Sequence, residues 1–134
     1  MSVEGGCLCG AVRFRLASPP REVWFCHCRQ CRKAQGTAFA ASVPVARGDF
    51  TLLSGGEQLR AYRATPAKSR WFCGVCGSPL WSEVDGAGTL RIRAGALDDD
   101  RGLVPVGHIF VEGRAGWYEI ADDLPRHPGR EPGR

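Results

Sequence analysis

The sequence lacks long hydrophobic runs. Hydrophobic residues make up 43% of its 134 positions, yet no apolar stretch approaches the roughly 20 residues that a membrane-spanning helix needs. The first residues, Met1–Gly6, have neither the basic start nor the apolar core of a signal peptide. The length is typical of one domain. These features predict a single cytoplasmic domain, which we place at residues 1–125.

The chain also lacks a strong excess of one charge. Its 18 lysine and arginine residues and 14 acidic residues give a formal net charge of +4 at pH 7. We define the tail as residues 126–134, a Pro- and Gly-rich segment whose composition predicts disorder. It contains four of the basic residues: Arg126, His127, Arg130 and Arg134. The remaining charges nearly balance, which favours small anionic partners.

Several functional signatures are missing. The only short basic run, at Arg29, Arg32 and Lys33, has none of the interleaved aromatic residues typical of nucleic-acid binders. The Gly-rich stretches do not form a phosphate-binding loop, and no Ser/His/Asp set is visible by spacing. Nucleic acid is therefore not an expected partner, and neither phosphate-loop nor serine-hydrolase chemistry is indicated.

Period-2 alternation predicts a β-rich fold. Val12, Phe14 and Leu16 alternate with two arginines, as in a half-buried strand. Cys28–Gln35 has helix-forming residues and ends before Gly36, which predicts one short helix. The other predicted strands, separated by Gly- and Pro-containing turns, are Glu22–Phe25, Ala38–Val45, Phe50–Leu53, Leu59–Tyr62, Ser69–Phe72, Leu80–Val84, Thr89–Arg93 and Val106–Val111. The pattern indicates a mainly antiparallel β domain.

Cysteine is abundant, with seven residues in the chain. An odd count in a reducing compartment argues against a disulfide framework and favours metal binding. Thiol redox chemistry is a weaker reading, because the CxxC pairs lack the βαβ setting of thioredoxin-like proteins.

Four of the cysteines match a closed zinc site. Cys73 and Cys76 form a CxxC turn followed by Gly77, a geometry in which both sulfurs face one metal. Cys7 and Cys9 are two residues apart, so on an extended chain both side chains point to one face. Two pairs complete a tetrahedral four-thiolate site that would connect the start of the chain to its middle.

The other three, Cys26, Cys28 and Cys31, lie close together in sequence and are one ligand short of a closed site. A zinc site with three protein ligands keeps its fourth position for substrate. An alternative division, in which these three take one further thiol and leave the others partly unused, remains open from spacing. His27, between two of these cysteines, is expected to make a hydrogen bond rather than bind metal, and His108 to be a packed or surface residue.

Three motifs resemble the glutathione-dependent formaldehyde-activating enzyme family, which includes centromere protein V. They are Gly6–Val12, Cys26–Lys33 and Arg70–Leu80, followed by His108–Phe110, Trp117 and Asp123–Pro125. The resemblance implies an Mss4-like fold of antiparallel sheets with two zinc ions per chain. The second zinc site is expected to be only partly filled. It implies a structural zinc on Cys7, Cys9, Cys73 and Cys76 and a catalytic-type zinc on Cys26, Cys28 and Cys31.

The resemblance also implies an activity: a carbon–sulfur lyase that condenses formaldehyde with glutathione to S-(hydroxymethyl)glutathione, the zinc-held substrate thiolate attacking the aldehyde. Candidate residues for binding the substrate carboxylates are Arg29, Arg32, Lys33 and Arg70. A non-catalytic, zinc-stabilised Mss4-like binding module is the alternative, because one fold can carry unrelated functions. A protein side chain as fourth ligand of the second zinc would favour that module.

Overall fold

The computed structural model describes residues 1–134 and contains ten strands and one α-helix. The helix, α1, is Arg29–Gln35. The strands are β1 (Val3–Gly6), β2 (Arg13–Leu16), β3 (Glu22–Cys26), β4 (Ala40–Ala46), β5 (Phe50–Ser54), β6 (Leu59–Arg63), β7 (Lys68–Cys73), β8 (Pro79–Val84), β9 (Thr89–Arg93) and β10 (Val104–Ile109). None of the helices combines the length and the apolar character needed to cross a membrane.

The strands form two sheets. A three-stranded sheet has the order β1-β2-β5, and a seven-stranded sheet has the order β10-β3-β4-β9-β8-β7-β6. All pairs are antiparallel except β10 and β3, which run parallel. The mainly β fold with one short helix is therefore confirmed, with one parallel pair that the turn signals did not indicate.

The main core lies between the two sheets and follows from the alternation in the sequence. Phe14 and Leu16 of β2 are fully buried, whereas Arg15 between them is exposed. Phe14 packs on Phe50 of β5 and on Trp81 of β8, with ring centroids 5.4 and 6.4 Å apart. Burying a side chain of this size contributes roughly 1.5–3 kcal/mol, so the contacts hold the small sheet against the large one.

Strand β1 was not predicted, because Glu4-Gly5-Gly6 has no apolar alternation. Gly5 of this strand is required by close packing. A Cβ on Gly5 would lie 2.4 Å from the Ala96 carbonyl oxygen and 2.6 Å from the Phe14 ring. The absence of a side chain thus lets β1 approach the core directly and delivers Cys7 to its position at the end of the strand.

Helix α1 is short and capped at both ends. The Cys28 Sγ accepts a hydrogen bond from the Cys31 backbone N–H at 3.3 Å, and Gly36 ends the helix in the left-handed conformation at φ 68°. The Gly36 N–H donates to the Arg32 carbonyl at 2.9 Å. The predicted helix and its glycine stop are confirmed, and the N-cap is itself one of the clustered cysteines.

The tail departs from the expectation of a disordered segment. Gly129 accepts a backbone hydrogen bond from Phe110 at 2.9 Å, and Glu131 is only 8% exposed. The Glu131 carboxylate pairs with Arg91 of β9. Composition could not reveal this, because the partner that makes burial of Glu131 favourable lies on a distant strand.

Candidate metal centres and the adjoining cavity

The first cysteine cluster connects the start of the chain to its middle. Cys7 follows β1 and Cys73 ends β7, and their ligand atoms lie within 4.8 Å of those of Cys9 and Cys76. Cys9 Sγ lies 3.6 Å from Cys7 Sγ and 3.8 Å from Cys73 Sγ. Four sulfurs at the zinc–sulfur bond length of ~2.3 Å would be about 3.8 Å apart in a tetrahedron. The observed spacing therefore fits four ligands of one ion.

Donors surround these sulfurs and favour the thiolate form that a metal needs. The backbone N–H of Val12 donates to Cys7 Sγ at 3.2 Å, and that of Val75 donates to Cys73 Sγ at 3.4 Å. The Ser78 hydroxyl lies 3.2 Å from Cys76 Sγ and lowers the pKa of that thiol to about 5. Despite a backbone hydrogen bond from Ala11, burial and the neighbouring thiols raise the pKa of Cys9 to about 11. A bound cation would therefore be needed for all four sulfurs to ionise.

The second cluster forms where β3 meets α1. Cys26 is the last residue of β3, Cys28 caps α1 and Cys31 lies in its first turn, and their sulfurs are within 4.8 Å of one another. No fourth His, Cys, Asp or Glu joins them. The fold groups the seven cysteines, all free, as four and three. The second group therefore leaves a ligand position open.

Two buried arginines lie beside the three-cysteine cluster. Arg70 of β7, 8% exposed, points one guanidinium nitrogen at Cys31 Sγ at 3.6 Å. Arg93 of β9, 7% exposed, donates to the Ser42 hydroxyl at 2.8 Å. Buried cations are stable only with anionic or hydrogen-bonding partners. The Cys31 sulfur, close to both guanidinium groups, is a partner that can supply negative charge.

The three thiols do not ionise alike without a cation among them. Hydrogen bonds from Cys26 and Cys28, together with the Arg70 guanidinium, lower the pKa of Cys31. The same contacts with Cys28 and Cys31 raise the pKa of Cys26, because a second negative charge so close would be repelled. A bound cation would remove this repulsion, so the donor set fits a metal ion.

The arginines lie beside the cysteines because side chains alternate between the two faces of a strand. In β9, Leu90 and Ile92 face the core, whereas Arg91 and Arg93 point to the opposite face of the sheet. Ser82 of β8 pairs with Arg91 on one side and with Arg70 on the other. The far face of the large sheet is therefore polar and basic where it meets the three cysteines.

A cavity of about 580 Å³ lies over this face, and we call it the thiol cavity because Cys26, Cys28 and Cys31 line it. Its one acidic lining residue, Glu83, is already bound by Arg47 and by the Trp71 indole. Burial, together with the nearby Arg70, lowers the pKa of Lys68. The lining cations are Arg29, Lys68, Arg91, Arg93, Arg130 and Arg134.

The structure separates the four candidate substrate residues. Arg29 lines the thiol cavity, and Arg70 lies against Cys31. Arg32 donates to the Gly113 carbonyl at 2.7 Å and, with Lys33, lines a second pocket of about 280 Å³, which Arg29 also borders. Sequence proximity alone suggested Arg32 and Lys33; the helix turns them away from the thiol cavity.

Sequence reasoning missed most of the cavity cations. The alternation of Leu90 and Ile92 with Arg91 and Arg93 was a usable signal, because it puts two charges on one face of a strand. Lys68 precedes Arg70 by two residues and follows the same rule. The tail arginines had no such signal, since their position depends on tertiary contacts.

The histidines form a buried chain behind the cluster. His27 Nε2 lies 2.8 Å from His108 Nδ1, and His108 Nε2 lies 3.0 Å from the Asp122 carboxylate. Burial and the neighbouring His108 lower the pKa of His27 to about 4. His27 makes a hydrogen bond and does not join the thiols, as predicted, and His108 is fully packed.

Comparisons with known proteins agree with this geometry. The family model described as glutathione-dependent formaldehyde-activating enzyme matches residues 2–113. A Halomonas elongata protein named "Putative glutathione-dependent formaldehyde-activating enzyme" is 34% identical over 128 residues, covering 90% of this chain and 82% of the relative. A crystal structure of a Rhodobacter sphaeroides protein superposes with a TM-score of 0.61 at 25% identity, over 76% of this chain and 97% of that one. On these grounds the chain belongs to the glutathione-dependent formaldehyde-activating enzyme family.

Proposed function

We propose that the protein condenses formaldehyde with glutathione to S-(hydroxymethyl)glutathione and acts as a zinc-dependent enzyme of the carbon–sulfur lyase type. The observation that carries the proposal is the three-cysteine cluster, which lacks a fourth side-chain ligand and opens onto a basic cavity. All seven cysteines are free, and we infer a reducing, cytoplasmic location.

The donor sets support two zinc ions per chain. Cys7, Cys9, Cys73 and Cys76 would hold a structural ion, and Cys26, Cys28 and Cys31 would hold the second. A zinc ion at the second site would supply a Lewis acid with one open position, at which a thiol loses its proton near neutral pH. Arg70 and Arg93 balance the negative charge of three thiolates beside that position.

The cavity suits the charges of glutathione, which carries two carboxylates and one amino group besides its thiol. Guanidinium groups bind carboxylates through paired hydrogen bonds. Arg29, exposed at the cavity edge, and Arg93, on its floor, are suited to this role. Binding the ends of glutathione there would orient its sulfur toward the three cysteines.

The reaction needs one bond change and one proton transfer. The sulfur of glutathione forms a bond to the aldehyde carbon, the carbon–oxygen π electrons move to oxygen, and that oxygen takes a proton. The thiol proton balances the one gained by oxygen, so no oxidant or reductant is required. Lys68 lines the cavity with a pKa lowered by burial and is suited to exchange this proton.

The test uses zinc-loaded protein mixed with glutathione and ¹³C-formaldehyde, with the exchange rate between free and thiol-bound formaldehyde followed by NMR. We expect faster exchange with the protein than without it, and a loss of this acceleration in Cys28→Ser. Arg101→Ala, a change at an exposed side chain that does not line the thiol cavity, is the matched control. An exchange rate equal to the uncatalysed one would overturn the formaldehyde assignment.

A non-catalytic, zinc-stabilised binding module is the other candidate. It would be favoured by a protein side chain completing the second site. The three cysteines have no fourth His, Cys, Asp or Glu within ligand distance, and they face a cavity rather than a packed interface. These observations weigh toward the enzyme.

A further inference from the structure

We propose that the tail, residues 126–134, is a wall of the thiol cavity that gives the site its preference for thiols bearing carboxylates. In this proposal Arg130 and Arg134 attract the substrate carboxylate, and Glu131 fixes the tail in place. The inference rests on the proposed function, since it concerns the substrate of the same site. The tail lies outside the residues that the family model matches, 2–113.

Backbone hydrogen bonds attach the tail to the edge of the large sheet. The His127 N–H donates to the His108 carbonyl, and the Phe110 N–H donates to the Gly129 carbonyl, each at 2.9 Å. The His108 N–H donates to the Pro125 carbonyl, also at 2.9 Å. These bonds pair the tail with β10, which would otherwise be an open edge strand.

Side chains then direct the tail across the sheet. Arg91 belongs to β9, which is separated from β10 by β3 and β4 in the sheet order. Glu131 nevertheless pairs with Arg91, and its second oxygen lies 2.5 Å from Arg134 Nε. The Arg91 and Glu131 side chains are only 13% and 9% exposed. Water could therefore not solvate either charge if its partner were lost. The tail must therefore reach over the face that forms the cavity floor.

The tail changes the charges that line the thiol cavity. Of the six lining cations, Arg130 and Arg134 come from the tail. Arg91 is largely neutralised by Glu131, whereas Arg130 is exposed and has no acidic partner among the ion pairs of the structure. The tail thus pairs with one buried cation, Arg91, through Glu131. It also provides a second cation, Arg130, that is available to bind a ligand.

Arg130 and Arg134 line the same cavity as the thiols and make no hydrogen bond to them, so their effect is expected on substrate binding. A carboxylate-bearing thiol should gain from the tail cations, and a neutral thiol should not. Glutathione and 2-mercaptoethanol are suitable probes, because they share the reacting sulfur and differ in charge. The tail arginines would then be specificity-determining residues.

The experiment measures the Kd of glutathione and of 2-mercaptoethanol by calorimetry with the zinc-loaded full chain. Arg130→Ala combined with Arg134→Ala is expected to reduce the preference for glutathione by about tenfold, the size of one charge-assisted contact. Glu131→Gln should also reduce the preference for glutathione. It should speed hydrogen exchange at the Phe110 amide, which reports detachment of the tail. Arg101→Ala removes a cation elsewhere and should leave the preference unchanged.

The outcomes separate the two proposals. An unchanged preference in the double arginine variant overturns the role of the tail, as does a parent protein with no preference for glutathione. Preferred glutathione binding that is lost in the variants supports it, even if formaldehyde exchange is not accelerated and the proposed reaction fails. Arg130→Ala alone touches an exposed side chain, so a loss of preference there cannot be attributed to misfolding.

Discussion

The Nε2 atom of His27 lies 2.8 Å from the Nδ1 atom of His108, and this contact joins the loop between Cys26 and Cys28 to strand β10. Both rings are fully packed, with 0% and 1% exposure. Strand β10, which carries His108, runs parallel to β3 and pairs Ile109 with Cys26, the residue before His27. The position of two metal-ligand candidates is therefore fixed from behind the cluster.

His108→Ala should weaken this arrangement. The change leaves His27 Nε2 buried without a partner, which costs about 1–3 kcal/mol of unfolding free energy. Because the unsupported loop carries Cys26 and Cys28, zinc affinity of the second site should fall as well. Denaturant unfolding and chelator competition measure the two effects. His127→Ala is the control, since its ring lies 6.1 Å from the Trp24 ring and is not part of the His27–His108 contact; equal effects in both variants would contradict a specific role for that contact.

The two cysteine clusters should respond differently to substitution. Cys76→Ser removes a ligand of the four-cysteine group, which connects the β1–β2 turn to the end of β7, and should lower the thermal stability strongly. Cys28→Ser should remove one zinc per chain with a smaller loss of stability, because its group lies within one local segment. Metal analysis and calorimetry on both variants test this. Equal loss of stability would argue against separate structural and functional sites.

Arg70→Met should loosen metal binding at the second site without removing a ligand. The guanidinium lies 3.6 Å from Cys31 Sγ and favours its thiolate. Partners of metal ligands typically contribute about 10–100-fold to affinity, and a loss of that order is expected in chelator competition. Arg101→Met, with an exposed guanidinium, is the matched control. Unchanged affinity in Arg70→Met would show that the thiolates need no cation there.

Attachment of the tail should depend on pH through Glu131. Burial would raise the pKa of this carboxyl, but the hydrogen bond and charge of Arg91 lower it below the ordinary value near 4.5. The stabilisation is therefore fully present above about pH 4.5 and is lost as the pH falls through the lowered value. Hydrogen exchange at the Phe110 amide, corrected for its intrinsic pH dependence, measures this.

Glu131→Gln provides the control for that titration. The amide cannot ionise, so exchange at Phe110 should be fast at neutral pH and should show little further change on acidification. A parent-like pH profile in Glu131→Gln would assign the transition to other groups.

Local chemistry was readable from the sequence wherever it depended on neighbours along the chain. The alternation around Phe14 predicted a strand, and Gly36 predicted the end of α1, because both signals act within a few residues. The spacing of Cys73 and Cys76 predicted two sulfurs on one side of a turn for the same reason. Motif order then indicated the family that the comparisons show.

Contacts between distant segments were decided only by the tertiary structure. Lys33 is close to the cysteines in sequence yet faces another pocket, whereas Arg93 is remote in sequence and lines the thiol cavity. Strand order determines which distant side chains meet across a sheet, and local periodicity does not encode it. The sequence by itself determined the helix, all strands but β1 and a favoured division of the thiols. The packing of β9, β10 and the tail decided which charges surround the three-cysteine cluster.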